Sequence, residues 1–167
     1  TTIQPAQLSA PGGQITLVSV GSPGEVSATG IENQPLEPFV NGFSRFGTIS
    51  LSQGTSIDTS ATKAGRIIIR GGQFTMDDAS LKSITGNGHG MVTEGETASP
   101  AISITSETIA LNNGTRITAD THGSAPAGDI PFNVRTLTTE GDATNRLDSN
   151  PHDPSTIAHN LVTSDSR

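Results

Sequence analysis

Asp77-Asp78 is the one adjacent carboxylate pair in this sequence, and paired carboxylates are what acid–base hydrolysis or calcium binding calls for. The pair ends an alternating apolar segment, where Asp commonly bonds to the backbone of a turn, so a turn role is the expectation. His89, His122, His152 and His159 all sit among Gly, Ser, Asn and Pro without the spacing of metal ligands, and read as solvated loop residues. The absence of Cys removes thiol nucleophiles, zinc knuckles and disulfide staples. Gly12-Gly13 and Gly71-Gly72 lack the helix that follows a phosphate-binding loop, so they read as turns. Asn113-Gly114-Thr115 fits a glycosylation acceptor, but Asn-Gly at this place is accounted for by the backbone of a turn. Phe39, Phe43 and Phe46 form the one local aromatic cluster in a chain of 5 Phe without Trp or Tyr, and packing under a loop is expected there ahead of sugar stacking. No catalytic, cofactor-binding or metal-binding residue is therefore expected, and the chain reads as a non-enzyme.

The elements around these residues repeat. Ile67 and Ile69 are followed after a gap of seven by Phe74 and Met76; Ile102 and Ile104 are followed after the same gap by Ile109 and Leu111. Ile130 and Phe132 lead to Leu137 at the same interval. Apolar residues at i and i+2 put alternate side chains on one face of a strand, so each copy is a pair of short strands with one inward row. Turn residues repeat as well: Gly54-Thr55 follows Leu51, Ala79-Ser80 follows Met76 and Gly114-Thr115 follows Leu111 at one interval. That recovers a fourth copy, with Ile49 and Leu51 in its second strand and Ile57, matching Ile117, in its third. A fifth and earlier copy opens at Gly13, with Ile15 and Leu17 inward and the remainder blurred by insertion.

Fixed strands at uneven intervals mean that insertions leave through the turns. The stretches 85–100 and 22–39, rich in Gly, Pro, Ser and Asn, are the two clear excursions, and any specific recognition would sit on them. The chain has only 31% hydrophobic and 3% aromatic residues but 19 Gly, too few large side chains for one compact core and enough for a thin stack of rungs. No window sustains the i, i+3, i+4, i+7 pattern of an amphipathic helix. Without helical crossovers, equivalent strands stack parallel, and the usual chirality of parallel connections makes the coil right-handed. The expectation is an all-β fold, a right-handed parallel β-helix (solenoid) of about five rungs over residues 1–140. Residues 141–167 are read as an irregular C-terminal extension that forms an intersubunit contact.

The opening Ala10-Pro-Gly-Gly-Gln-Ile-Thr-Leu, with Pro23-Gly-Glu-Val after it, resembles a passage of filamentous haemagglutinin-like exoproteins. The later Leu111-Asn-Asn-Gly-Thr-Arg-Ile-Thr-Ala-Asp-Thr-His-Gly, followed by Ala127-Gly-Asp-Ile, is similar to their repeat. The resemblance spans most of residues 3–139 and implies very long secreted β-helical adhesins exported by a two-partner bacterial system, with scaffold positions in place of catalytic ones. The chain begins at Thr1 without an export segment and is far shorter than such adhesins, which marks it as a processed product, a fragment or a small relative.

The functional expectation is a secreted structural protein, a β-helical subunit joined head to tail to other copies of itself in a surface or matrix fibre. The alternatives are an excised segment of a long adhesin that binds a surface glycan or cell-surface target, and a β-helical polysaccharide-active enzyme, for which clustered carboxylates are wanting. A formal net charge of −7 argues against nucleic acid, and no apolar run is long enough to enter a membrane. Thr-x-Thr does not recur at one position of successive copies, which disfavours an ice-binding face.

Overall fold

The structure, a computed structural model, describes residues 1–26, 42–86, 100–121 and 128–140. These form nine strands and no helix: β1 (Thr2–Ile3), β2 (Gln7–Ser9), β3 (Gln14–Val18), β4 (Thr48–Asp58), β5 (Arg66–Arg70), β6 (Gln73–Thr85), β7 (Ile102–Asn112), β8 (Arg116–Thr121) and β9 (Phe132–Glu140). All belong to one curled sheet in which every strand pairing is parallel.

The long strands bend, and their halves pair differently, so the sheet resolves into three ladders. In the first, β1 pairs with the start of β4, then the start of β6, the second half of β7 and the second half of β9. In the second, β2 pairs with the end of β4, then the end of β6 and β8. The third runs β3, β5, the first half of β7 and the first half of β9. The chain visits first, second and third ladder in turn and then starts again one strand further on. Short strands of this kind close parallel pairs with no helical crossover because the bend itself carries the chain to the next ladder.

The inward rows align. Ile49, Phe74, Ile109 and Leu137 form one column of the first ladder, and Ile3, Leu51, Met76 and Leu111 another. Leu8, Ile57, Leu81 and Ile117 make the column of the second. In the third, Ile15 pairs with Ile67 and Ile67 with Ile102, while Leu17, Ile69, Ile104 and Phe132 follow one another. Ile49, Leu51, Ile57, Ile67, Ile69, Phe74, Met76, Ile102, Ile104, Ile109, Leu111, Ile117 and Ile130 are buried. Ile15, Leu17, Phe132 and Leu137 are partly buried and packed against that core.

Three features depart from the reading of the sequence. Gly13 and Ile49 open the first and second strands of one copy, not of two. β3 pairs with β5 and β4 with β6, so Ile15 stands to Ile49 as Ile67 stands to Phe74, with the long insertion between them. The opening residues supply β1 and β2, whose single inward residues Ile3 and Leu8 are too few for a period to register. Finally, Ala79 pairs with Thr55, not Gly54, because 53–54 face the single residue Asp78 across a β-bulge. Ser80 pairs with Arg116, so Ala79 stands beside Thr115 and residues 113–114 bulge in the same way.

The bulge explains the residue types at the bend between the first and second ladders. Gln53, Gly54, Asp78, Asn113 and Gly114 all have positive φ, from 45° to 76°, the left-handed conformation that turns the strand inward. Thr55, fully buried just after the bend, donates its hydroxyl to the carbonyls of Ser52 at 2.6 Å and Ile3 at 3.1 Å. Thr115 repeats this with a hydroxyl bond to the carbonyl of Asn112 at 2.7 Å. Thr55→Val, isosteric but lacking the donor, is expected to cost about 1–3 kcal/mol in urea unfolding, because the two part-buried carbonyls that share the hydroxyl proton lose it. An unchanged midpoint would mean that the bend does not depend on that hydroxyl.

Candidate functional site

Of the titratable residues first considered for chemistry, the structure describes Asp77 and Asp78, and both are bonded to a neighbouring bend. Asp77 ends the straight part of β6 and accepts a hydrogen bond on Oδ1 from Asn113 Nδ2 at 2.7 Å, across two neighbouring bends. Asp78 occupies the bulge, and its backbone N–H donates to the Asn113 carbonyl at 3.0 Å. The Asn113 N–H in turn donates to the carbonyl of Glu140, so Asn113 ties the bend of β6 to its own and to the end of β9. Among the described residues there is no group of three or more His, Asp or Glu side chains that could hold a metal ion. His89, His122, His152 and His159, Phe39 and the extension 141–167 lie outside the described residues.

Phe43 and Phe46 lie at the corner between the third and first ladders with ring centroids 6.3 Å apart and planes tilted by 52°. The Phe43 ring rests on the chain's own backbone, since a Cβ at Gly24 would collide with it, and the Phe46 backbone lies close to Gly72, where a Cβ would stand 2.6 Å from the Phe46 carbonyl oxygen. Arg70 extends over Phe46, its guanidinium carbon 5.2 Å from the ring centroid, so one face of that ring is occupied by a cation from β5. A partly covered ring of this kind serves packing better than sugar stacking.

Among the described residues, no strand pairs beyond β1, β2 and β3 at one end of the sheet or beyond β8 and β9 at the other. The partly buried apolar residues packed against the core are Ile3, Leu8, Ile15 and Leu17 in the first strands of the three ladders, and Phe132, Val134 and Leu137 in β9. Interior neighbours in the same columns, such as Ile57, Ile67, Phe74 and Met76, have no solvent exposure. Among the described residues, incomplete burial along these columns is therefore confined to their first and last layers, although Ile117, also last in its column, is buried.

The two ends differ in edge chemistry. Ala6 and Ala10 flank β2 and bond to β4 through the Ala6 carbonyl and the Ala10 N–H, and since alternate residues of a parallel strand face opposite neighbours, Gln7 and Ser9 point their backbone groups away from the sheet. At the other end the Glu140 carbonyl accepts from Asn113 and faces β7, so Thr139 presents its backbone groups outward. The first 24 residues contain no Asp, Glu, Lys, Arg or His, so the strands of the first end lack the charges that usually blunt a sheet edge. Sequence reasoning named Ile15, Leu17, Phe132 and Leu137 but missed Ile3, Leu8 and Leu81. Only alignment with β4 and β8 reveals those three.

Compared with protein-family models, curated proteins and solved structures, the chain matches none. Among the described residues no helix is long and apolar enough to cross a membrane.

Proposed function

We propose that this chain is a non-enzymatic, extracellular structural protein, a right-handed parallel β-helix of about five rungs that joins copies of itself end to end in a surface or matrix fibre. The supporting observation is that, among the described residues, the partly buried residues packed against the core lie in the end layers: Ile3, Leu8, Ile15 and Leu17 at one end, and Phe132, Val134 and Leu137 at the other. Each end is a cross-section through an apolar core flanked by strands whose outward backbone groups pair with no other described strand, the arrangement that receives another layer of parallel strands. A head-to-tail contact between unlike ends does not close on itself and so propagates as a filament. The right-handed sense rests on the chirality of parallel connections. The extracellular setting rests on the likeness of residues 3–26 and 111–130 to haemagglutinin-like repeats.

That same likeness favours a second reading, in which the coil is a segment of a long adhesin with further coils on both sides and a surface glycan as its target. Electron microscopy of the purified chain at neutral pH separates the two. The fibre reading expects unbranched filaments with an axial rise of about 4.8 Å per strand layer. Isolated short rods at all concentrations would sink it and leave the segment reading.

A further inference from the structure

We propose that Asn113-Gly114 is a site of spontaneous self-modification, where the backbone nitrogen of Gly114 displaces ammonia from the Asn113 side chain. The hydrogen bond from Asn113 to Asp77 holds this reaction in check, and its completion unfastens the end of β9. None of this requires copies of the chain to join. The three equivalent bends carry Gln53-Gly54, Asp78-Ala79 and Asn113-Gly114. Only the last pairs an asparagine amide, which closes a five-membered ring, with a following residue that has no side chain; Gln53 would need a larger ring, and Asp78 has no amide and precedes Ala79. Asn113 and Gly114 are both exposed, with φ of 45° and 71°. Among the described residues, the backbone bonds of this bend use the Asn113 N–H and carbonyl, and none uses the Gly114 N–H. That nitrogen is open to water and to loss of its proton. A Cβ placed on Gly114 would meet nothing within 4 Å, so the peptide has room to swing toward the side chain. As a glycan acceptor the same residues are poorly disposed, because the Thr115 hydroxyl is buried and committed to the Asn112 carbonyl at 2.7 Å.

Water is the sole co-reactant. The Gly114 nitrogen, having given up its proton, bonds to Cγ of Asn113; the Cγ–Nδ2 bond breaks, and Nδ2 leaves as ammonia with a proton taken from water. Water then opens the cyclic imide at either of its carbonyls. Opening at Cγ gives aspartate, and opening at the main-chain carbonyl gives isoaspartate, in which the chain runs through Cγ. Water is consumed and ammonia released, with nothing oxidised or reduced. Ring closure requires the amide to turn away from Asp77, whose Oδ1 accepts from Nδ2 at 2.7 Å. Aspartate at 113 puts a carboxylate where that donor stood, and like charges at such a distance repel. Isoaspartate lengthens the main chain at the residue whose N–H donates to the Glu140 carbonyl and whose own carbonyl accepts from the Asp78 N–H. Both products therefore weaken the tie between the bend of β6, that of β7 and the end of β9.

The test incubates the folded chain at mildly alkaline pH and follows each Asn-Gly pair by peptide mass spectrometry with enzymatic labelling of isoaspartate. Asn41 and Asn87, also followed by glycine, lie outside the described residues and serve as references in the same sample. Wild type is expected to accumulate aspartate and isoaspartate at 113. Asp77→Ala is expected to speed that conversion about tenfold, the factor that goes with releasing a hydrogen bond to a charged group at an exposed site, and to leave the rates at 41 and 87 unchanged. Asp77→Asn keeps an acceptor and is expected to stay near wild type. No conversion at 113 in wild type or in Asp77→Ala would overturn the site, and equal rates in the two would overturn the restraint by Asp77. Asn113→Asp, made directly, is expected to speed amide hydrogen exchange over residues 137–140 while leaving β4 as in wild type. Unchanged exchange over 137–140 would overturn the unfastening of β9.

Discussion

Replacing Phe74 by alanine is expected to lower the unfolding free energy by about 3–5 kcal/mol. Phe74 heads the fully buried side chains by volume and stands in a central position, between Ile49 on one neighbouring strand and Ile109 on the other. The surrounding backbone is held by ladder bonds on both sides of β6, so it cannot collapse into the space the ring leaves. In a stack where each layer touches only its neighbours, stability is a sum of layers and interfaces, and a void in the middle weakens two interfaces at once. The transition is therefore expected to broaden as well as shift. Phe132 provides the control. It has the same side chain but lies in an end layer and is only partly buried, so Phe132→Ala should cost about 1–2 kcal/mol. Equal losses at the two positions, measured by urea unfolding, would show that the stack behaves as one cooperative block and not as a series of layers.

The second large effect is expected at Gly65, for a reason that φ does not supply. Gly65 lies at the corner leading into β5, where the Arg66 N–H donates to the Gly13 carbonyl at 2.9 Å. A Cβ on Gly65 would overlap that carbonyl oxygen and stand 2.8 Å from the Gly13 nitrogen and carbonyl carbon. Both sides of the contact are backbone, so no rotamer change relieves it. The Gly65 carbonyl also accepts the buried hydroxyl of Ser83 at 2.9 Å, and shifting the corner would strain that bond too. Gly65→Ala is expected to cost about 3–5 kcal/mol through strain and lost packing. Gly54→Ala is the comparison: a Cβ there meets nothing within 4 Å, and only the φ of 76° opposes it. That variant should lose about 1–2 kcal/mol. If thermal unfolding ranked Gly54→Ala as the more damaging, close backbone approach at the corner would not be what requires glycine at 65.

How far the sequence spoke depended on the length of each strand. β5, β6 and β7 carry two or more inward residues each, and a gap of seven between pairs is legible because it is the distance from the third ladder round the corner to the first. β1 and β2 carry one inward residue apiece, and a single Ile3 or Leu8 has no period. Leu81 escaped because the bulges at 53–54 and 113–114 add a residue that the bend at Asp78 lacks, which put Ala79 one place out of alignment. The insertion after β3 hid the link between Ile15 and Ile49 for a similar reason: pattern matching works at fixed spacing, and backbone pairing does not.

By itself, the sequence determined the class of element, parallel strands with one apolar row, and the residues that fill the middle of the core. Alternation along a strand is a local property, set by the direction of successive Cβ atoms. Tertiary structure alone decided which strands share a ladder, where glycine is required by backbone contact, and which core residues are left partly buried at the ends. Those are matters of what lies on the neighbouring layer, brought there by hydrogen bonds between residues some 24 to 52 positions apart in the chain, and no local pattern records them.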